Sequence, residues 1–242
     1  MRIDFYEEFP TKENLRKLKL IKFKSRLFIA AKSLNEFRNL EKKVKNTNKN
    51  IECVYWPIIK SSYWVSPFSN RHDLIDLFKE LKSCDNRLLI DLELPFMNKT
   101  MIFKNIFSYF KNRKRIKDFL EKNANKITTA QYPPAISNLF MKILGLDYKA
   151  KTEKSFMWYS SVIPKFINKN IKKNLINLKN KKAYSISLGT IAKGILGNEP
   201  ILSPEALEKD LTFTKKARFN KAIIYRLGGL NKNYINIINK FI

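Results

Sequence analysis

The chain has 242 residues, of which 44% are hydrophobic and 13% aromatic, so it can bury a full core and is not an intrinsically disordered chain. Its 48 Lys and Arg exceed its 21 Asp and Glu, which gives a net charge of +27. Such an excess is typical of proteins that bind nucleic acid or anionic membranes. The sequence is also crowded with Lys, Asn and Ile, as AT-rich coding produces, and we attribute most of the charge to this bias.

The cysteines and the single histidine exclude several kinds of site. Cys53 and Cys84 are the only cysteines and lack the spacing of metal ligands, so they fit a reducing compartment better than a disulfide scaffold. His72 is the only histidine, which excludes a multi-histidine metal site. Its position at a predicted helix start indicates a surface role. We therefore predict no metal and no cofactor.

The hydropathy pattern predicts a cytoplasmic protein. No stretch of about 18 apolar residues is present, so no membrane-spanning helix is expected. Acidic residues interrupt the apolar residues of segment 1–8, which therefore does not have the pattern of a signal peptide.

Eight short apolar runs indicate strands, and most of them precede a helical pattern. The strand-like runs are 3–9, 27–31, 51–59, 88–94, 127–132, 155–163, 184–188 and 222–227. The predicted helices are 12–21, a helix opened by a capping box at Ser33 and Glu36, 71–82, 102–122, 136–144, 165–178, a helix that begins after Ser203-Pro204, and 232–241.

This alternation predicts a (β/α)8 barrel. Strands that alternate with helices imply right-handed crossovers and a parallel sheet. Eight such units fit a closed barrel, which typically has about 250 residues. No glycine-rich phosphate loop follows the first strand, so an open doubly wound sheet is the less favoured alternative. Since no linker divides the chain, we predict one barrel domain over residues 1–242.

The most informative segment is 88–95, an apolar run that contains Asp91 and Glu93. Side chains at positions i and i+2 of a strand point to the same side, so the two carboxyl groups should lie together. Two carboxylates in an apolar wall cannot both ionise easily, which raises a pKa and suits a general acid. The alternative is that both acids form ion pairs with Lys or Arg.

Carboxylates and aromatic side chains dominate the predicted ends of the strands. In a (β/α)8 barrel the active site lies at the C-terminal ends of the strands. The predicted cleft residues, besides Asp91 and Glu93, are Tyr6, Glu8, Tyr55, Trp56, Gln131, Tyr132, Trp158, Tyr159, Tyr225 and Arg226. Aromatic rings can stack on the C–H faces of sugars and carboxylates bind hydroxyl groups, so a glycan is the predicted ligand. The alternative is that many of these rings fill the core.

Four segments give the chain a resemblance to family 18 glycoside hydrolases, the chitinase-like barrels. Segment 5–9 resembles the aromatic first strand of that family, and Asp91-Leu92-Glu93 resembles the end of its fourth-strand signature, D-G-x-D-x-D-x-E. Segment 157–159 resembles its Met-x-Tyr, and segment 222–229 its eighth strand. The resemblance implies a (β/α)8 fold and hydrolysis of a glycan.

The resemblance also implies roles for three residues. Glu93 would be the general acid, Asp91 would orient a substrate N-acetyl group that acts as the internal nucleophile, and Tyr159 would donate a hydrogen bond to its carbonyl. The sequence departs from the signature in four places: Asn86 and Leu89 occupy the two earlier aspartate positions, Ser160 the position after the sixth-strand tyrosine, and Tyr225 that of the eighth-strand tryptophan. A barrel that only binds a glycan therefore remains an alternative to an enzyme.

Two further alternatives follow from other segments. A phosphate-handling barrel would use Gly189-Thr190 and Gly228-Gly229 after strands seven and eight, with Lys32 as a charged or Schiff-base residue. A non-catalytic basic protein would use segment 101–117, in which aromatic residues alternate with Lys and Arg, to bind an anionic membrane. Nucleic acid is a less favoured partner of that segment. Its simplest interpretation is a helix that packs on the barrel and exposes its lysines.

Overall fold

The computed structural model describes residues 1–95, 98, 100–134 and 138–242. Its core is a closed barrel of eight parallel strands in the order β1 to β8, and β1 pairs with β8 to complete it. The strands are Arg2–Glu7 (β1), Ser25–Ala31 (β2), Ile51–Pro57 (β3), Leu88–Asp91 (β4), Ile127–Gln131 (β5), Glu153–Met157 (β6), Tyr184–Gly189 (β7) and Lys221–Tyr225 (β8). The predicted (β/α)8 fold is confirmed.

The α-helices follow the strands in chain order. They are Lys12–Arg16 (α1), Leu34–Thr47 (α2), Arg71–Lys82 (α3), Thr100–Lys104 (α4), Tyr109–Lys122 (α5), Asn138–Ile143 (α6), Lys165–Asn177 (α7), Pro204–Lys216 (α8) and Lys232–Asn239 (α9). The predicted helix 12–21 continues after α1 only as the 3-10 turn Lys17–Leu20. The predicted helix 102–122 is divided, because the 3-10 turn Ile106–Ser108 separates α4 from α5. Part of the predicted helix 136–144 lies outside the described residues.

Side-chain caps fix where the helices begin. The Ser33 hydroxyl accepts a hydrogen bond from the Glu36 amide at the start of α2, and the Glu36 carboxylate accepts one from the Lys32 amide. The Ser203 hydroxyl accepts from the Ala206 amide at the start of α8, where Pro204 occupies the first helical position. These caps begin α2 and α8 where the sequence predicts.

Several strands end earlier than the sequence predicts, the fourth and the sixth by the largest margins. The fourth was expected over 88–94 but ends at Asp91, and Leu92 then makes a bridge with Val65 of the loop after β3. The sixth was expected over 155–163 but ends at Met157, after which the Val162 amide donates to the Tyr159 carbonyl in a turn. Apolar residues continue past both strands without forming strand: Leu92 is buried, whereas Val162 is 49% exposed, so composition alone overestimates strand length.

Alternating side chains of each strand point into the barrel or out toward the helices. The residues packed inside the barrel are Tyr6, Phe28, Ala30, Val54, Trp56, Leu89, Ala130, Met157, Ile223 and Tyr225. Their sequence neighbours, such as Phe5, Tyr55 and Ile224, belong to the larger core between the barrel and the helices. This alternation decides which residues can reach a cleft at the barrel mouth.

Ion pairs fill the N-terminal end of the barrel, opposite the mouth. The Arg26 guanidinium contacts Glu52 at 3.2 Å and Glu153 at 3.0 Å, and Lys221 Nζ lies 3.0 Å from Glu153. The buried Asp4 carboxylate accepts a hydrogen bond of 2.7 Å from the Arg26 amide. Lys221 and Arg26 lower the pKa of the Glu153 carboxyl, because both stabilise its charged form against the cost of burial.

We expect Glu153→Gln to lower the free energy of unfolding at pH 7 by about 1–3 kcal/mol, because it leaves two cations in this network without their shared carboxylate. Since the folded-state pKa of Glu153 is lowered, its contribution is present above the ordinary glutamate pKa and is lost as the pH falls through the folded-state value. Denaturant unfolding followed by circular dichroism at pH 7 and about pH 3 measures this.

The matched control is Glu121→Gln, which removes an exposed carboxylate whose distance to Lys117 is 3.8 Å. It should change the free energy of unfolding by less than about 0.5 kcal/mol. Equal effects of the two variants, or an effect of Glu153→Gln that persists at the acidic pH, would contradict the role of this network.

Candidate active site

A cleft opens at the C-terminal end of the barrel. It is lined by Tyr6, Glu8, Trp56, Trp64, Asp91, Glu93, Ala130, Met157, Tyr159, Thr190, Ile195, Leu196, Glu199 and Tyr225. Its enclosed volume is about 130 Å³, below the roughly 300–1,000 Å³ that small-molecule sites usually have. The enclosed part therefore suits a single group of a ligand, and a longer ligand would extend across the mouth.

Asp91 and Glu93 meet in this cleft. Asp91 is the last residue of β4 and is buried, and Glu93 follows two residues later. The intervening Leu92 amide donates to the Ala130 carbonyl, which continues the pairing with β5 for one residue past the strand. The two carboxyl groups therefore stay on the same side of the chain and share a hydrogen bond.

The surroundings of this pair favour the protonated forms. Burial, and next the charge of Glu93, raise the pKa of Asp91 well above its ordinary value. Burial raises the pKa of Glu93 to about 7, although the Tyr132 hydroxyl donates to Glu93 Oε2 at 3.1 Å and opposes the rise. The charge of Glu93 favours the protonated form of Asp91, whereas the hydrogen bond from Asp91 opposes the rise at Glu93, so the pair holds a proton near neutral pH. It can therefore donate a proton to a bound ligand.

Two further carboxylates lie on other sides of the cleft. Glu8, just past β1, accepts hydrogen bonds from the hydroxyl groups of Tyr63 and Tyr225. Burial raises the pKa of Glu8, and these two donors oppose the rise. Glu199 belongs to the loop between β7 and α8, and its Oε1 accepts from the Leu196 amide at 3.1 Å.

Tyrosine side chains form part of the cleft wall. The Tyr6 ring lies inside the barrel, and its hydroxyl is hydrogen-bonded to Ser187 at 3.0 Å and to Ser155 at 3.4 Å. The rings of Tyr159 and Tyr225 are neighbours, with centroids 5.4 Å apart. Tyr6 is anchored by the barrel floor, whereas Tyr159 and Tyr225 present aromatic surface to the mouth.

Most of the predicted site residues come together. The cleft contains Tyr6, Glu8, Trp56, Asp91, Glu93, Tyr159 and Tyr225. Tyr132 adjoins it through the hydrogen bond to Glu93.

The structure does not bring Tyr55 and Trp158 to the cleft, because both point outward from the barrel. Tyr55 stacks on Phe37 with a centroid distance of 4.9 Å, and its hydroxyl donates to Glu80 at 2.9 Å. Trp158 is fully buried, and its Nε1 donates to Asn168 at 2.7 Å. Trp56 and Met157, their neighbours in sequence, do line the cleft. Because consecutive side chains of a strand point to opposite sides, Tyr55 and Trp158 point outward where these neighbours point inward.

Gln131 and Arg226 also lie outside the cleft. The Gln131 side-chain amide donates to the Thr129 hydroxyl at 3.2 Å, and both side chains point outward from β5. The Arg226 guanidinium lies 2.9 Å from Glu7 and packs over the Phe9 ring. Both side chains are thus engaged in holding loops and strands together.

The amides of the glycine pair after β8, one half of the phosphate alternative, are already engaged within the protein. The Gly228 amide donates to Glu7 Oε2 at 2.6 Å, and the Gly229 amide donates to the Arg226 carbonyl at 3.0 Å. A buried carboxylate therefore occupies the position that a phosphate would need, and it would repel a second anion.

The sequence did not identify several cleft residues. These are Trp64, Ile195, Leu196 and Glu199 as lining residues, and Tyr63 as a partner of Glu8. Met157 and Thr190 also line the cleft, and the sequence marks them only through the Met-x-Tyr resemblance and the phosphate alternative. The aromatic loop 63–68 was a detectable signal for Tyr63 and Trp64. Glu199 had none, because it lies in a loop between β7 and α8 whose path depends on tertiary packing.

Two features of the described residues bear on other classes of site. They contain no group of three or more His, Cys, Asp or Glu side chains that could hold a metal ion. No helix within them is long and apolar enough to cross a membrane.

The chain shares its fold with chitinase-like glycoside hydrolases. The Bacillus cereus spore cortex-lytic enzyme SleL matches with a TM-score of 0.66 at 9% identity, over 99% of this chain and 74% of the other. A class V chitinase from Nicotiana tobaccum matches with a TM-score of 0.54 at 11% identity, over 99% of each chain. The PgaB (BpsB) glycoside hydrolase domain from Bordetella bronchiseptica matches with a TM-score of 0.56 at 10% identity, over 97% of this chain and 95% of the other.

These likenesses define a glycoside hydrolase-like (β/α)8 barrel. At such low identities they concern the fold alone. No family model and no curated protein sequence matches the chain.

Proposed function

We propose that this protein hydrolyses a glycan, with Glu93 as the general acid and Asp91 as its partner. The observation that carries the proposal is the hydrogen-bonded carboxyl pair in an aromatic cleft, at the end of the barrel where such folds place their active sites. The fold likeness to glycoside hydrolases supports it. One of these structures, a class V chitinase from Nicotiana tobaccum, is a complex with NAG4.

In the proposed reaction Glu93 protonates the oxygen of the leaving sugar as the glycosidic bond breaks. Its raised pKa, to about 7, keeps part of the population protonated near neutral pH, as a general acid requires. Asp91 orients an N-acetyl group whose carbonyl oxygen attacks the anomeric carbon, and Tyr159 donates a hydrogen bond to that group. Water then opens the intermediate, with Glu93 accepting the proton.

The departures from the family signature change how Asp91 is tuned. Leu89 is fully buried inside the barrel beneath Asp91, where an apolar side chain increases the cost of a charge. Asn86 does not tune Asp91, because its side-chain amide instead donates a hydrogen bond of 3.3 Å to Glu41. Asp91 therefore depends on Glu93 for its hydrogen bond, and the two residues act as one titrating unit.

We expect Glu93→Gln to reduce kcat/KM for aryl glycosides of N-acetylated sugars by about 10²-fold or more, because the amide keeps the shape but cannot donate the acid proton. The measurement is hydrolysis of a panel of aryl glycosides with and without N-acetyl groups. Native activity should decline as the pH rises through about 7, since Glu93 then loses its proton.

Glu121→Gln is the matched control for this experiment, because it removes an exposed carboxylate on α5 and should leave the activity unchanged. Equal turnover by the native protein and Glu93→Gln would contradict the catalytic assignment. The absence of turnover in both would favour a barrel that only binds a glycan.

We further propose that segment 101–117 binds an anionic membrane surface. Phe103, Phe107 and Phe110 are exposed by 77%, 95% and 76%, although burial of such side chains is strongly favoured. The basic residues of the segment are Lys104, Lys111, Arg113, Lys114, Arg115 and Lys117, and it contains no acidic residue. Aromatic side chains that can enter the interface, beside cations that attract lipid headgroups, are the features of interfacial anchors.

We expect the protein to sediment with vesicles of phosphatidylserine and phosphatidylcholine, and to bind vesicles of phosphatidylcholine alone more weakly. The double variant Phe103→Ser/Phe107→Ser should bind about tenfold or more weakly, because each ring buried in the membrane interface contributes about 1.5–3 kcal/mol. Phe166→Ser is the control, because Phe166 is 73% exposed on a different helix. Unchanged binding of the double variant, or binding of oligonucleotides without binding of vesicles, would contradict the membrane assignment.

A further inference from the structure

The cleft is acidic although the chain as a whole is strongly basic. Four carboxylates line it, those of Glu8, Asp91, Glu93 and Glu199. Among the described residues no Lys or Arg lines it, in a chain that has 48 of them. The sign of the charge in the cleft is therefore opposite to that of the chain as a whole.

Within the described part of the chain, the four carboxylates act on one another and no cation lines the cleft with them. The charge of Glu8 raises the pKa of both Asp91 and Glu93, and the charge of Glu199 raises that of Glu8. A cation outside the lining, Arg226, opposes the rise at Glu8. Like charges in a partly buried space cost free energy, and a bound positive group would relieve that cost.

Three buried polar atoms of the cleft have no hydrogen-bond partner within the described part of the chain. They are Asp91 Oδ1, Glu199 Oε2 and Trp56 Nε1. Buried polar groups are nearly always hydrogen-bonded in folded proteins, so such atoms call for a partner from outside the chain, which a ligand or a water molecule can supply. Two of the three are acceptors and one is a donor, which calls for a ligand that offers donor groups on one side and an acceptor on another.

Glu8 and Glu199 are the two carboxylates that the proposed reaction does not use. Glu8 is held by the Tyr63 and Tyr225 hydroxyl groups, which stabilise its charged form and fix its orientation. Glu199 has one oxygen fixed by the Leu196 amide and the other unpaired. Together they form an anionic wall apart from the Asp91 and Glu93 pair.

We propose that this wall binds the ammonium group of an amino sugar, so that the substrate is a glycan with free amino groups on some of its sugars. An ammonium group supplies three donors and one positive charge, and the ring and hydroxyl oxygens of the same sugar supply acceptors for Trp56. A fully neutral glycan would leave the charge of the wall uncompensated. This inference rests on the proposed function in one respect, namely that the cleft holds a glycan.

The test is isothermal titration of the native protein at low salt with three β-1,4-linked tetramers, of glucosamine, N-acetylglucosamine and glucose. We expect the glucosamine tetramer, or a partly acetylated one, to bind at least about tenfold more tightly than the glucose tetramer, and the preference to shrink as salt is added. Glu199→Gln and Glu8→Gln should each reduce that preference severalfold. Glu13→Gln, which changes an exposed carboxylate, should retain it.

The comparison of ligands on the native protein decides the proposal even where a variant fails to fold. Equal affinity for glucosamine and glucose tetramers, or a preference that survives both cleft variants, would overturn it. Glu93-dependent hydrolysis of neutral glycans without any preference for amino sugars would overturn this inference and leave the proposed function intact. Preferential binding of amino sugars without turnover would support the inference and count against the proposed hydrolysis.

Discussion

Closure of the barrel is the constraint on which the site depends. Once β1 pairs with β8, every strand has one set of side chains inside the barrel and one set against the helices. Among the strand residues, only inward side chains near the C-terminal ends can reach the mouth. Asp91 has this position, and the apolar interior around Leu89 is what makes its ionisation unfavourable. The chemistry that we propose for the cleft is therefore a consequence of packing.

The two ends of the barrel use carboxylates in opposite ways. At the N-terminal end Glu153 lies between Arg26 and Lys221, so its charge is compensated and its pKa is lowered. At the C-terminal end no Lys or Arg of the described residues pairs with Asp91 or Glu93, and both pKa values are raised. Residues of the same kind thus stabilise the fold at one end and hold a proton at the other, and the placement of the cations makes the difference.

The sequence predicts the fold and the central pair well, because both follow from local patterns. The alternation of strands and helices requires no knowledge of the tertiary structure, and Asp91 and Glu93 need only the i, i+2 spacing. The sequence does not decide between neighbouring aromatic residues. Tyr55 and Trp56 are adjacent aromatic residues in one strand, and composition cannot tell which of them points inward. Tyr55 was therefore assigned to the wrong side.

Other cleft residues could not be predicted because loops bring them in from a distance. Tyr63 reaches Glu8 although 55 positions separate them in sequence, and the contact depends on the course of the loop after β3. Glu199 comes from the loop between β7 and α8, where no periodic pattern marks a residue as buried or exposed. Strand ends are thus accessible to sequence reasoning, whereas the loops that complete the cleft are accessible only through the structure.

The measurement that most directly tests the account is a ¹³C NMR titration of the side-chain carboxyl groups, with the Glu93 signal identified by its loss in Glu93→Gln. We expect the Glu93 carboxyl group to titrate near pH 7, well above the ordinary pKa of a glutamate. If Asp91 and Glu93 both titrate near the ordinary values of aspartate and glutamate, the pair holds no proton at neutral pH and the proposed acid catalysis is wrong.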